Sequence, residues 1–361
     1  MYSESDIEAA VAAGALSPDS AQRLRAYVAA SRASPAVDEE HFRLLTGFND
    51  IFVAIAAVIL LIAVGWIGQT IAVGPEPGAP SPFAGLFVAA AAWGLALFFT
   101  ARRRMALPSI VLLLAFVGGA FGAAAGVLAA VVPETALNNN EALAASLLAG
   151  CAAVAAGAAW LHWRRFKVPV AIAAGALAAA GLVLGLIAAG TAQMTAQREI
   201  LLGFALLLGI GVFLLAMWWD SSDPARTTRR ADVAFWLHLL AAPLIVHPIF
   251  SLLGLTGGTA GVAQAALVLA LYVGLGLTAL AIDRRALLVS ALAYVLFALS
   301  SLFDTYGVVE LSFALTALII GSALLLLSAF WHNMRREVVR RLPTTLQARL
   351  PVLNHTVPAT A

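Results

Sequence analysis

The chain is predicted to be an all-α, polytopic transmembrane helix bundle of about ten spans, N-in and C-in, with a small N-terminal cytoplasmic helical hairpin. Three observations predict it. Residues are 62% hydrophobic and only 11% charged, with a mean hydropathy of +0.95, where ordinary soluble domains carry about a quarter charged residues. Apolar stretches of roughly 20 residues, the length that crosses a bilayer, use most of the 361 residues and leave little for a domain outside it. Of the 21 Lys and Arg residues, every one except Arg198 falls in alternate joints between those stretches.

Residues 1–46 are the sizeable water-soluble part. Ile7, Ala10 and Val11 form an apolar series that stops at Gly14, and Ser17-Pro18-Asp19 then supplies an N-cap with proline at the first helical position. The second helix is expected from Pro18 to about Ser31, with Ala21, Leu24, Tyr27 and Val28 on one face. Helices this short are marginal alone in water, so the pair is expected to pack against the rest of the chain, a second copy or a protein partner. Ser34-Pro35 makes a hinge, and Asp38-Glu39-Glu40 opens a juxtamembrane helix through Phe42, Leu44 and Leu45.

The ten-helix domain is expected over residues 47–332, followed by a basic cytoplasmic tail over 333–361. The first span, about 50–73, has too long a leader to be a cleaved signal peptide. The others are predicted near 83–100, 107–132, 142–161, 168–190, 200–219, 233–253, 262–282, 286–303 and 311–331. The eighth and ninth are joined through Asp283-Arg284-Arg285, which requires a very tight turn.

Basic residues lie in the N-terminal segment, at Arg102 to Arg104, at Arg164, Arg165 and Lys167, at Arg226, Arg229 and Arg230, at Arg284 and Arg285, and in the tail. Moving such groups across a membrane is costly, so these joints are expected in the cytoplasm. Trp160, Trp163, Trp218, Trp219, Trp236 and Trp331 sit where spans meet the basic joints, as interfacial anchors do. The cadence recurs as FFTARRR, WLHWRRF, WWDSSDPARTTRR and FWHNMRR, which suggests stacked hairpins. Arginine-for-lysine and alanine-rich usage reads as a GC-rich bacterial gene, hence a bacterial inner-membrane location. The opposite joints are short, and Pro75, Pro77, Pro80 and Pro82 stiffen the first of them.

Lipid tails give apolar helices no hydrophobic reason to associate, so close backbone approach has to hold the bundle. Gly118, Gly119, Gly122 and Gly126 in the third span and Gly181 and Gly185 in the fifth have small-xxx-small spacing.

The seventh span, FWLHLLAAPLIVHPIF, contains His238, Pro243, His247 and Pro248. Each proline frees a carbonyl four residues back, so a kink or partial unwinding is expected. At about 1.5 Å per residue His238 lies roughly 8 Å and His247 roughly 20 Å into the membrane. Nine steps of about 100° place them on opposite faces of a straight helix. They read as bonding neighbouring helices or freed carbonyls, with proton or substrate handling as the alternative; metal binding lacks a ligand set. Asn49-Asp50 opens the first span and reads as an interfacial cap, with an ion-coupling role as the alternative. Asp304 and Tyr306 read as loop residues, and Gln264, Tyr272 and Tyr294 as interhelical hydrogen-bonders.

Catalytic motifs are missing: there is no Walker loop, HExxH, GxSxG elbow, dinucleotide fingerprint or haem attachment sequence. Cys151 stands alone in an apolar stretch, which excludes a disulfide framework. The net charge of +2 is segregated by side and forms no patch for nucleic acid. No enzyme activity, cofactor or metal is expected, and the expected partners are the bilayer and a protein docked on residues 1–46.

The opening IEAAVAAGALSPDSAQRLRAYV followed by a polytopic region resembles the bacterial membrane proteins of the domain of unknown function 2157 type. That resemblance rests on residues 5–30, implies an inner-membrane protein and carries over no functional residues. Three classes of function therefore stay open. A membrane interaction or assembly protein leads, a small-solute or proton-coupled transporter using the seventh span follows, and a membrane-embedded enzyme comes last.

Overall fold

In a computed structural model of the chain, the structure describes residues 10–32, 48–74, 78–224, 228–254, 262–285, 287–288, 312–347 and 350–351, with positions 7, 226, 292, 295–296 and 299. Among the described residues all regular structure is α-helical. The chain divides into two compact units, Leu44–Leu353 and a second made of Met1–Arg43 with Asn354–Ala361.

In the smaller unit a helical turn ends at Gly14, whose φ of 71° closes it while the Ala15 amide donates to the Ala10 carbonyl at 2.9 Å. Ser17 Oγ then accepts from the Ser20 amide at 3.1 Å and starts α1 (Pro18–Arg32), as the Ser-Pro cap predicts. Ala21 is buried and Leu24 is exposed. The juxtamembrane helix at Asp38 to Leu45 and the Ser34-Pro35 hinge lie outside the described residues.

The larger unit contains α2 (Phe48–Gln69), α3 (Pro82–Phe99), α4 (Ala106–Val131), the short α5 (Glu134–Asn138), α6 (Glu141–Phe166), α7 (Val170–Thr191), α8 (Gln197–Ser221) and α9 (Arg229–Leu252). After these come α10 (Val262–Ile282), α11 (Ser312–Ala329), α12 (Trp331–Arg340) and α13 (Thr344–Gln347). Among the described residues seven helices, α2 to α4 and α6 to α9, have the length and hydropathy to cross a membrane, and α11 with α12, bent by 74°, would be an eighth if counted as one span. The described positions of the predicted ninth span, 287–288, 292, 295–296 and 299, are helical. Val295 there is buried against Val246, Phe250, Val268 and Ile320. The remainder of that span, with Tyr294, Asp304 and Tyr306, lies outside the described residues, as does the side chain of Gln264.

Helices pair most extensively as sequential hairpins, α3 with α4, α6 with α7 and α8 with α9. Each of these hairpins turns at a basic joint, and each basic joint contains one non-glycine residue in the left-handed region: Arg104, Lys167 and Arg226, with Asp283 in the turn after α10. A left-handed residue costs about 1–2 kcal/mol outside glycine, which a short joint between packed helices must offset. The joints gather at one end of the bundle. Phe99 and Phe166 pack on one cluster, Trp163 and Trp236 on another, and Arg226 reaches Asp283. Basic side chains there lie over aromatic rings: Arg103 over Phe98, Arg164 over Trp160, Lys167 over Trp163 and Arg285 over Trp331, at 4.9 to 5.5 Å. In FFTARRR and WLHWRRF the aromatic-then-basic cadence is this stacking seen along the chain, whereas Trp331 of FWHNMRR is covered by Arg285 from another joint.

Small residues let the helices close up. Ala92, Ala96, Ala159, Ala216, Ala241 and Ala242 are fully buried. A Cβ on Gly85 of α3 would stand 2.1 Å from the Ala123 amide nitrogen and 2.5 Å from the Gly119 carbonyl of α4, so the two backbones touch there. Of the four glycines singled out in α4, Gly119 and Gly126 meet a neighbour's backbone, whereas Gly118 faces open space.

Candidate functional site

The polar centre of the molecule lies at its basic end, where α8 finishes, α9 begins and α10 turns. Asp220 sits in the last turn of α8. Asp223 Oδ2 accepts from the Thr228 amide at 2.9 Å and from its hydroxyl at 2.6 Å, and Thr228 Oγ1 in turn accepts from the Arg230 amide at the start of α9. After α10 the chain turns through Asp283, φ 58°, and the Arg284 amide reaches back to the Ala279 carbonyl at 2.9 Å. This turn sends two consecutive side chains to different partners.

Arg284 grips Asp220 with two bonds, Nη2 to Oδ1 at 2.5 Å and Nε to Oδ2 at 3.2 Å, and gives a third to the Ala231 carbonyl at 3.0 Å. His238 Nε2 lies 3.0 Å from the same Oδ2. A carboxylate already held by a guanidinium can only accept, which assigns the proton to Nε2 and leaves Nδ1, buried without a partner, as the bare nitrogen. In the opposite direction Arg226 Nη1 donates to Asp283 Oδ2 at 3.0 Å and its Nη2 to the Ile282 carbonyl at 2.9 Å. Trp331 Nε1 donates to Asp283 Oδ1 at 2.7 Å, and Arg335 stands 3.7 Å from that oxygen while donating to the Pro351 carbonyl. The joint after α8 therefore gives an acid to, and takes an acid from, the turn after α10. None of these charged side chains is more than 7% exposed.

Burial pushes the Asp283 carboxyl up, but Arg335, Arg226, the Trp331 N–H and Arg284 together outweigh it and hold the group below the usual carboxylate range. The Arg226 guanidinium is lowered by burial and by Arg284, against the pull of Asp283 and Asp220. A carboxyl lowered in the folded state contributes stability that is complete above its unfolded value of about 3.9 and is lost as pH falls through the folded value. Purified protein is accordingly expected to melt earlier as pH is taken from 5 to 3, and Asp283→Asn to lose part of that acid sensitivity. Identical melting profiles for variant and parent across this window would contradict it.

The six positions singled out from sequence separate in space. His238 is fully buried in this network, against the Phe213 ring at 5.3 Å and beside Leu237, Ala241 and Ala242, all fully buried. His247 is exposed, so the two histidines do lie on different sides of α9. The helix is continuous through Pro243, exposed, and Pro248, buried. Pro248 has no N–H for the Leu244 carbonyl, and it is there that α8 comes close: a Cβ on Gly209 would be 2.7 Å from the Leu244 carbonyl carbon. Asp50 is buried in the first turn of α2, where a carboxylate opposes the positive helix end, and Asn49 beside it is exposed.

Asp220, Asp283, Arg226, Arg284 and Arg335 were not legible as a site, because each sits in or beside an arginine-rich joint or in the basic tail, where charge reads as solvated. The available signal was the acids: Asp220, Asp223 and Asp283 interrupt joints otherwise rich in arginine. His162 was equally silent; it is fully buried among Trp93, Phe116 and Phe166 with neither ring nitrogen hydrogen-bonded. Among the described residues no group of three or more His, Cys, Asp and Glu is placed to hold a metal ion. The chain matches no family model, no curated protein and no solved structure. Fold and site define an all-helical, multi-pass membrane protein.

Proposed function

We propose that the protein is a bacterial inner-membrane scaffold of ten spans, with both termini in the cytoplasm, that acts by docking a protein partner on residues 1–46 and not by catalysis. The observation that carries this reading is the state of His238. Its proton is given to Asp220, Asp220 is held by Arg284, and the surrounding positions are filled by alanine, leucine and phenylalanine. Such an arrangement locks helix ends together; it offers no open polar face to a solute. The orientation is supported by the gathering of the basic joints at one end, since Lys- and Arg-rich joints are retained in the cytoplasm. The count of ten is supported by α10, the helical positions 287, 288, 292, 295, 296 and 299, and α11, added to the seven longer helices. The resemblance of residues 5–30 to the domain of unknown function 2157 type agrees with the location.

Affinity purification of the full chain and of a variant lacking residues 1–46 tests the reading: the shortened chain is expected to reach the membrane and lose its partner. An unchanged partner set sinks it. A proton-coupled transporter is the second reading, favoured by the carboxylate–imidazole pair of Asp220 and His238 inside two spanning helices. Proton or solute flux that vanishes in His238→Ala at unchanged membrane abundance would establish that alternative in its place.

A further inference from the structure

A groove of about 890 Å³ opens on the flank of the basic end, within the roughly 300–1,000 Å³ of small-molecule sites. Its walls are Leu214 and Trp218 of α8 and Leu277 and Ala281 of α10, and its floor is Val338 of α12 and Leu346 of α13. The walls belong to apolar helices. The floor does not run with them, because α12 leaves α11 at 74°. Trp331, Arg335 and Val339 turn α12 inward onto the bundle, and Arg336, Glu337, Arg340 and Arg341 face outward. An amphipathic helix set crosswise to a span, at the end where basic joints collect, has the form of an element lying in a membrane interface. The groove above it therefore begins at headgroup level and runs along apolar surface.

Among the lining residues only Glu337 and Arg341 are charged, and they sit together at the rim. Arg341 Nε donates to Glu337 Oε1 at 2.9 Å, and its Nη2 stands 2.7 Å from the same oxygen. Both side chains are more than half exposed, at 77% and 57%, so the pair is weak and opens at little cost. Both contacts fall on the one carboxylate oxygen, Oε1. A matching ligand is apolar along its length and carries, at one end, an anion for the guanidinium beside a hydrogen-bonding cation for the carboxylate.

We propose that this groove is a binding site for a bilayer phospholipid with a primary-amine headgroup. One acyl chain lies between α8 and α10, the phosphate meets Arg341, and the ammonium donates to Glu337. A guanidinium fork suits phosphate oxygens, and a carboxylate suits an ammonium with three N–H donors. A choline headgroup cannot donate to Glu337, and an uncharged glycerol headgroup leaves that carboxylate beside the phosphate without a cation. The inference does not depend on residues 1–46.

The test uses the full-length protein, delipidated in mild detergent and titrated with dioleoyl phosphatidylethanolamine, phosphatidylcholine or phosphatidylglycerol. Bound lipid is read by native mass spectrometry, and melting temperature is read alongside. The ethanolamine lipid is expected to bind about tenfold more tightly than the other two, the gain of one charge-assisted hydrogen bond. Glu337→Gln should lower it to the choline level, and Arg341→Gln should weaken all three phosphate lipids. Thr278→Trp, which fills the groove, should abolish binding; because the first two substitutions are on exposed side chains, the proposal stays testable even if this third variant misfolds. Equal binding of the three lipids overturns the proposal. So does a preference for the glycerol lipid, the mark of a basic interface attracting any anionic surface, or an ethanolamine preference that survives Glu337→Gln.

Discussion

Replacing Asp220 with alanine is expected to destabilise the folded bundle by about 3–5 kcal/mol, the cost of leaving a buried ion without its partner. Arg284 would then keep only the Ala231 carbonyl, and His238 would lose its hydrogen bond to the carboxylate. Arg284→Ala is expected to cost a similar amount by stranding the carboxylate, with the double variant costing much less than the sum, since each partner alone is the liability. Denaturant unfolding in detergent micelles would measure all four corners of this cycle. A converse experiment separates stability from registry. If Asp220, His238 and Arg284 are replaced together by leucine, leucine and methionine, stability should be unchanged or higher by about 1–4 kcal/mol, because desolvating three polar groups costs more than their contacts return. The crossed pairing of Asp220 with Arg284 and of Asp283 with Arg226 then stands out as a device that selects which helix ends meet. An Asp220→Ala variant as stable as the parent would remove that device from the account.

The second large effect is expected at Gly85. A valine there would drive its Cβ into the α4 backbone, 2.1 Å from the Ala123 nitrogen, and backbone cannot rotate away as a side chain can. The two helices must separate, with loss of the packing that replaces the hydrophobic drive in lipid, at about 3 kcal/mol or more. Gly119→Val should act in the same way from the α4 side, where the Cβ would come within 2.8 Å of the Ala89 nitrogen. Gly118→Ala is the control. It has nothing within 4 Å and should be neutral or gain up to about 1 kcal/mol of helix propensity. Equal melting temperatures for Gly85→Val, Gly119→Val and Gly118→Ala in the same detergent would show that backbone contact is not what holds α3 to α4.

Gly118, Gly119, Gly122 and Gly126 look alike in sequence, because small-xxx-small spacing names the candidates without naming the face that meets a neighbour. Which of them matter depends on what the preceding hairpin arm places opposite: Gly85 and Ala89 for Gly119, Ser81 and Pro82 for Gly126. For His238 the opposition to His247 followed from helix geometry alone, yet its carboxylate lies 18 residues before it, and the arginine that fixes that carboxylate lies 64 residues after the carboxylate.

Class and local form were determined by the sequence itself. Hydropathy over a helical length, prolines and serines at helix starts, glycine at the first stop, and arginines in alternate joints are rules acting within a few residues of each other. They placed most helix ends close to where they lie. Tertiary structure alone decided that acids and bases of the arginine-rich joints are buried against each other, that the chain bends at Phe330, just before the predicted basic tail, and seals onto the bundle through Arg335, and that a groove forms above it. The physical reason is range: a charge is solvated or buried according to what packs over it, and here the covering residues come from helices many tens of positions away.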